Sequence, residues 1–156
     1  METAIFAAGC FWGVESAFAE LPGVSATEVG YIGGKLDKPT YEDVCTHSTG
    51  HAEAVRVTFD PAKISYATLV EEFFALHDPT QVNRQGPDVG DQYRSAIFTT
   101  TPEQAAIAER IKADLTARGA FKRPIATIIT PAVPFWRAEE YHQQYFKKRG
   151  GGGCHV

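Results

Sequence analysis

The run His51-Ala52-Glu53-Ala54-Val55-Arg56-Val57-Thr58-Phe59 constrains the fold more than any other stretch of the chain. Successive side chains of a strand point to opposite faces. His51, Glu53, Val55, Val57 and Phe59 therefore share one face, and Ala52, Ala54, Arg56 and Thr58 the other. The apolar face is the one a core takes. It carries Glu53 inward, with no basic residue beside it in sequence. A carboxyl removed from water holds its proton more tightly, and a protonated carboxyl near neutral pH is a general acid. The competing reading is an inward Glu53 paired with an arginine from elsewhere, such as Arg84 or Arg94.

The elements around this strand fall into an order. Residues 3–9 read as a buried strand. The stretch 11–21 reads as a helix stopped by Pro22-Gly23, and 25–33 as a second strand. From Gly33 to Gly50 the chain is rich in Gly, Pro, Asp, Thr and Ser and reads as irregular. Residues 66–77 form a helix, followed by a polar loop of the length that is usually functional or disordered. After a strand at 95–99, Thr101-Pro102-Glu103-Gln104 opens a helix with an N-cap, a first-turn proline and a capping-box glutamine. That helix ends near Gly119. A strand at 125–130 and a short helix over 138–149 complete the set. The expected class is α+β: a two-layer sandwich with a mostly antiparallel mixed sheet, a ferredoxin-like core, long loops and a flexible C-terminal tail.

With 156 residues, 44% of them hydrophobic, the chain suits one domain over 1–156, with 149–156 as a glycine-rich tail. A formal charge of -4 and no basic block argue against nucleic acid. No apolar run approaches the ~18–20 residues of a membrane span. The opening lacks a basic n-region and carries Glu2, so it does not read as a signal peptide, and cytosol is the expected location. A monomer is the simplest expectation.

Cys10, Cys45 and Cys154 are an odd number without regular spacing, which is no disulfide framework. Cys10 lies between a strand end and a helix start, where the helix dipole and free N–H groups favour thiolate; a small buried core cysteine is the plain alternative. Cys154 follows four glycines and cannot be a core residue. Five residues from Arg149 span at most roughly 17 Å, so the tail is either a frayed end or a tether. On a helical wheel Phe11, Val14, Phe18 and Leu21 fall within roughly 80° of one another, whereas Trp12 lies about 140° from the centre of that stripe. Cys45, His47 and His51 invite a zinc or redox-sensing module, yet paired spacings for four ligands are missing. A cysteine hydrolase is a second alternative, with His51 or His77 activating Cys10.

The stretches GCFWGVE, VGYIGG, TYEDVCTHSTGHAEAV, HDPTQVNRQGPDVGDQYRSAIF and FWRAEEYHQQYF together resemble the peptide methionine sulfoxide reductases of class A, the resemblance running in the same order from about Phe6 to Phe146. The resemblance implies that Cys10 is the nucleophile attacking the sulfur of an S-configured methionine sulfoxide. It implies that Phe11 and Trp12 form the apolar pocket for the ε-methyl group, and that Glu53 protonates the sulfoxide oxygen. Tyr41 and Tyr93 are then hydroxyl donors to that oxygen, and Asp88 a partner that orders the polar loop. Cys154 becomes the resolving thiol that converts a Cys10 sulfenic acid into a disulfide, with thioredoxin or a similar external dithiol as reductant and no bound cofactor or metal. Many members carry two recycling cysteines near the C-terminus and this chain has one; Cys45 falls at a position the family does not generally use.

Overall fold

The computed structural model of the chain describes residues 1–46 and 49–145. Its main sheet has six strands in the order β7-β6-β1-β3-β2-β8. These are β1 (Glu2–Ala8), β2 (Val24–Ile32), β3 (Ala52–Phe59), β6 (Ser95–Thr99), β7 (Ile128–Pro131) and β8 (Trp136–Arg137). The inner four, β6-β1-β3-β2, are all antiparallel. They are joined through α1 (Phe11–Ala19) and α3 (Tyr66–Leu76), which is the βαββαβ order of a ferredoxin-like core. β7 adds parallel to β6 and makes the sheet mixed; β8 adds antiparallel to β2. The expected α+β class is what forms.

The two faces of β3 divide as the alternation requires. Val55, Val57 and Phe59 join Ala4, Phe6, Val29 and Tyr31 beneath the helices, in a core completed by Phe11, Val14, Phe18, Leu69 and Phe73. Ala52 and Ala54 lie on the opposite face with Ile5, Ala7, Ile32, Ala96 and Phe98, covered by Phe135. That second face is buried too, which the small alanines allow. Arg56 stays on it by laying its guanidinium over the Phe135 ring, 4.6 Å from the centroid, while pairing with Glu28. The helix α4 (Pro102–Ala117) starts as read, with Thr101 accepting from the Gln104 N–H and proline in the first turn. The Gln104 side chain, however, accepts from Thr100 N–H rather than from the cap residue.

Three local expectations are corrected. The stretch 33–50 contains a one-turn helix, α2 (Tyr41–Cys45), held by a reciprocal capping box between Thr40 and Asp43; glycine and proline counts hide such a short element. The polar loop after α3 folds into its own hairpin, β4 (Arg84–Gln85) with β5 (Asp88–Val89), and a 3₁₀ turn at Asp91–Tyr93. The helix expected over 138–149 does not form in its first part, which is a 3₁₀ turn at Glu140–His142 followed by Gln144 with φ +49°; Tyr145 is helical, and 146–149 lie outside the described residues. A residue in the left-handed region breaks helical continuation. The tail 149–156 and His47 lie outside the described residues.

Candidate active site

Gly9, with φ +102°, turns the chain sharply off the end of β1, a conformation that favours glycine. Cys10 is thereby set as the N-cap of α1. The backbone N–H groups of Trp12 and Gly13 point at its sulfur and stabilise thiolate, but burial and the nearby Glu53 carboxylate outweigh them and push the thiol up to about 12. This corrects the expectation of a helix-activated thiolate. One turn's worth of N–H groups does not offset desolvation beside a carboxyl group, and the resting thiol is neutral.

Glu53 lies opposite Tyr31 in the β2–β3 register and is 1% exposed. Its Oε1 accepts the Phe11 N–H at 3.2 Å, tying the carboxyl to the residue after Cys10. Its Oε2 has no hydrogen-bond partner among the described residues. Burial raises its pKa to about 8, with the Phe11 N–H working against the shift and Asp88 adding to it. The ion pairs among the described residues do not include Glu53. Arg84 donates to Gly86 O and Arg94 to Asp91 O, so neither of the two candidate arginines neutralises it.

Two tyrosines and an aspartate sit around this pair. Tyr41 opens α2, its N–H bound by Glu139 Oε2, while Glu139 Oε1 accepts the Tyr31 hydroxyl. Tyr41 is held protonated by burial, by a hydrogen bond to Cys45 and by the Glu53 charge. Tyr93, at the end of its 3₁₀ turn, is shifted the same way by burial first, then by Glu53, Asp88, Cys45 and Cys10. Asp88 acts on Cys10, Glu53 and Tyr93 through charge. Five of the sequence-derived residues, Cys10, Glu53, Tyr41, Tyr93 and Asp88, therefore share one electrostatic neighbourhood.

Phe11 is buried against Tyr31 and His142, with ring centroids 5.8 and 5.2 Å away. Trp12, off the core-facing stripe of the wheel, is partly buried at the edge of the core and meets two residues that pattern reading missed. Its indole N–H donates to His142 Nδ1 at 2.9 Å, and its ring stacks on Tyr145 at 3.8 Å and 8°. Both partners lie in the FWRAEEYHQQYF stretch, which reads in sequence as part of a short helix and marks neither residue as a neighbour of Trp12.

The alternative bases are spoken for. His51 accepts the Gly34 N–H on Nδ1 and contacts Leu36 O through Nε2 at 2.6 Å. His77 is held between Phe73 O and Ser95 Oγ. Neither has a ring nitrogen left to activate Cys10. No cluster of three or more metal-ligating side chains occurs among the described residues, and no helix there is long and apolar enough to cross a membrane.

Comparison with known proteins gives the family and the fold. The family profile described as Peptide methionine sulfoxide reductase matches residues 2–156. A Peptide methionine sulfoxide reductase MsrA of Methanoculleus marisnigri is 60% identical over 154 residues, covering 99% of this chain and 94% of its own. One from Acidobacterium capsulatum is 58% identical over 156 residues, with both chains covered in full. Among solved structures, Mxr1 from Saccharomyces cerevisiae in reduced form superposes with a TM-score of 0.91 at 36% identity, covering 99% of this chain and 88% of that one. Mxr1 has also been solved in complex with Trx2, with TM-score 0.65 at 24% identity over 92% of this chain and 84% of that one. The chain belongs to the peptide methionine sulfoxide reductases.

Proposed function

We propose that this chain reduces the S epimer of methionine sulfoxide, free or within proteins, to methionine. One observation carries the reading: a carboxyl buried on a strand face keeps its proton to about pH 8 and is bonded to the residue after a helix-cap cysteine. A sulfoxide oxygen leaves sulfur only once protonated, so a thiol beside a neutral carboxylic acid is the arrangement reduction needs.

In this mechanism Cys10 attacks the substrate sulfur while Glu53 passes its proton to the oxygen. The attack forms a bond between the Cys10 and substrate sulfurs; that bond and the substrate S–O bond then break as the hydroxyl passes to Cys10, leaving S–OH on Cys10 and two electrons moved from Cys10 to the substrate sulfur. The thiol proton returns to Glu53, so none is consumed. Tyr41 and Tyr93, both held protonated, donate hydrogen bonds to the oxygen as charge gathers there. Asp88 keeps Glu53 protonated through its charge and shapes the hairpin that carries it. Phe11 and Trp12 supply the apolar wall for the S-methyl group.

Cys154 then attacks the sulfenic sulfur, releasing water and leaving a disulfide with Cys10. A dithiol of the thioredoxin type reduces it by exchange, a partner supported by the yeast family member solved with Trx2. The dithiol supplies both electrons, so no resident cofactor is required. The whole of 1–156 serves as one catalytic unit with 149–156 as its recycling tail, and a monomer suffices. A reducing compartment such as the cytosol suits the three cysteines.

The test is a single turnover without reductant, counting methionine released and thiols lost in the native chain and in Cys154→Ser. About one methionine with two thiols lost in the native chain, and one thiol lost in the variant, is the expected result. Two thiols lost in both would assign resolution to Cys45, and no methionine would overturn the activity.

A further inference from the structure

Glu15 is a carboxylate on α1, one helical turn beyond Phe11, and is 2% exposed. It accepts the Thr27 hydroxyl on Oε2 at 2.8 Å, the Gln144 backbone N–H on Oε1 at 2.8 Å and the Gln144 side-chain amide on Oε2 at 2.9 Å. That amide also donates to Thr27 O. Gln144 is held at φ +49°, a conformation unfavourable for any residue but glycine. Next to it, the Gln143 side chain accepts the Val29 N–H and donates to Val29 O and Ala138 O, acting as a short extra strand on the edge of β2. The chain emerges from this clasp with Tyr145 flat on the Trp12 indole, and enters it through His142, which binds the indole N–H.

We infer that Glu15, through Gln144, is a positioning residue for substrate binding: it locks the His142–Trp12–Tyr145 stack and so fixes the wall that receives the S-methyl group. The inference rests on the reading of Trp12 as that wall. Tyr145 takes one indole face and His142 the N–H edge, so the two together fix the ring's orientation.

The alternative target of the clasp is the recycling tail, and tether length decides against it. Cys154 lies nine residues beyond Tyr145. Releasing Gln144 while Gln143 holds lengthens the tether to eleven residues, and effective concentration falls roughly as the −3/2 power of length, about 1.4-fold. A displaced aromatic wall acts on every encounter with substrate.

The experiment uses a Trp136→Phe background, which leaves Trp12 as the sole tryptophan. Glu15→Ala is expected to raise KM for methionine sulfoxide about fivefold or more, with the single-turnover rate at saturating substrate within about twofold, since the lost contact serves ground state and transition state alike. Trp12 emission should change in the free protein as Tyr145 leaves its face. Gln144→Gly, which suits the left-handed backbone and keeps the N–H to Glu15, should fold well and show a smaller rise. Tyr145→Ala should match Glu15→Ala, and the double variant should be no worse than either. Unchanged KM and unchanged emission in Glu15→Ala overturn the inference, as do additive effects in the double variant. A native chain that releases no methionine removes the proposed reaction instead, and the emission arm still shows whether the clasp holds Trp12.

Discussion

Glu53 and Cys10 are both neutral in the resting site: burial, joined by the nearby Asp88 charge, keeps the carboxyl so, and burial joined by the Glu53 carboxyl keeps the thiol so. The carboxyl holds its proton to about pH 8, and the thiol, facing it from the helix cap, to about 12. A reaction that starts from this doubly protonated pair loses its acid as pH rises through about 8. Single-turnover release of methionine should therefore decline above that pH by about tenfold per unit. Glu53→Gln should lower the rate across the range and abolish the limb, with substrate binding little changed because the proton moves mainly in the transition state. A native rate that instead climbs through pH 8 to a plateau would mean that cysteine ionisation limits the reaction. The inward path of Glu53 was legible from alternation alone, since a period of two leaves a strand residue only two faces. The neutral thiol was not legible: helix position is visible in sequence, but the desolvation that outweighs it comes from residues more than forty positions away.

Cys45 belongs to an element rather than to a motif. It ends α2, a single turn that depends on the Thr40–Asp43 capping box and on the Glu139 carboxylate that receives the Tyr41 N–H. The Cys45 thiol is hydrogen-bonded to the Tyr41 hydroxyl, and serine can keep that bond. Cys45→Ser should thus leave steady-state turnover with thioredoxin within about tenfold, equivalent to ~1.4 kcal/mol; a larger loss would give Cys45 a part in recycling. Thr40→Ala is the more damaging change. Losing a cap costs about 1 kcal/mol, which a five-residue helix has few other contacts to absorb. The expected outcome is a raised KM and a slower reduction step, measured in the same single-turnover assay, as Tyr41 loses its fixed place. Long amphipathic elements such as α3 were readable because periodicity accumulates over eleven residues. α2 was not, because one turn with a local Thr40–Asp43 capping box is too short to show a period; the 140–145 clasp was not, because it is held by side chains bonding to distant backbone, as Gln143 does at Val29. Glu15 did leave a signal: one turn from Phe11, it flanks the core-facing stripe, where an unpaired carboxylate has no place.

For the molecule as a whole, Glu53 sets a conflict between function and stability whose sign can be worked out. Unfolded, its carboxyl titrates near the ordinary value of 4.5; folded, it titrates near 8. Between those two pH values the folded state holds a proton that the unfolded state has released, so stability falls as pH rises across the window. Above about pH 8 the folded chain carries a buried charge whose only direct donor among the described residues is the Phe11 N–H. The shift corresponds to roughly 3–5 kcal/mol between pH 4 and pH 9, a large part of the ~5–15 kcal/mol that a domain has in total. Glu53→Gln keeps the acceptor for Phe11 and cannot ionise. Urea unfolding of the reduced proteins should find the variant more stable than the native chain at pH 9, with the advantage shrinking towards pH 5. Equal stabilities at pH 9 would mean that the native carboxylate is solvated or paired when charged. The site would then not be dry enough to hold the acid proton that the proposed chemistry requires.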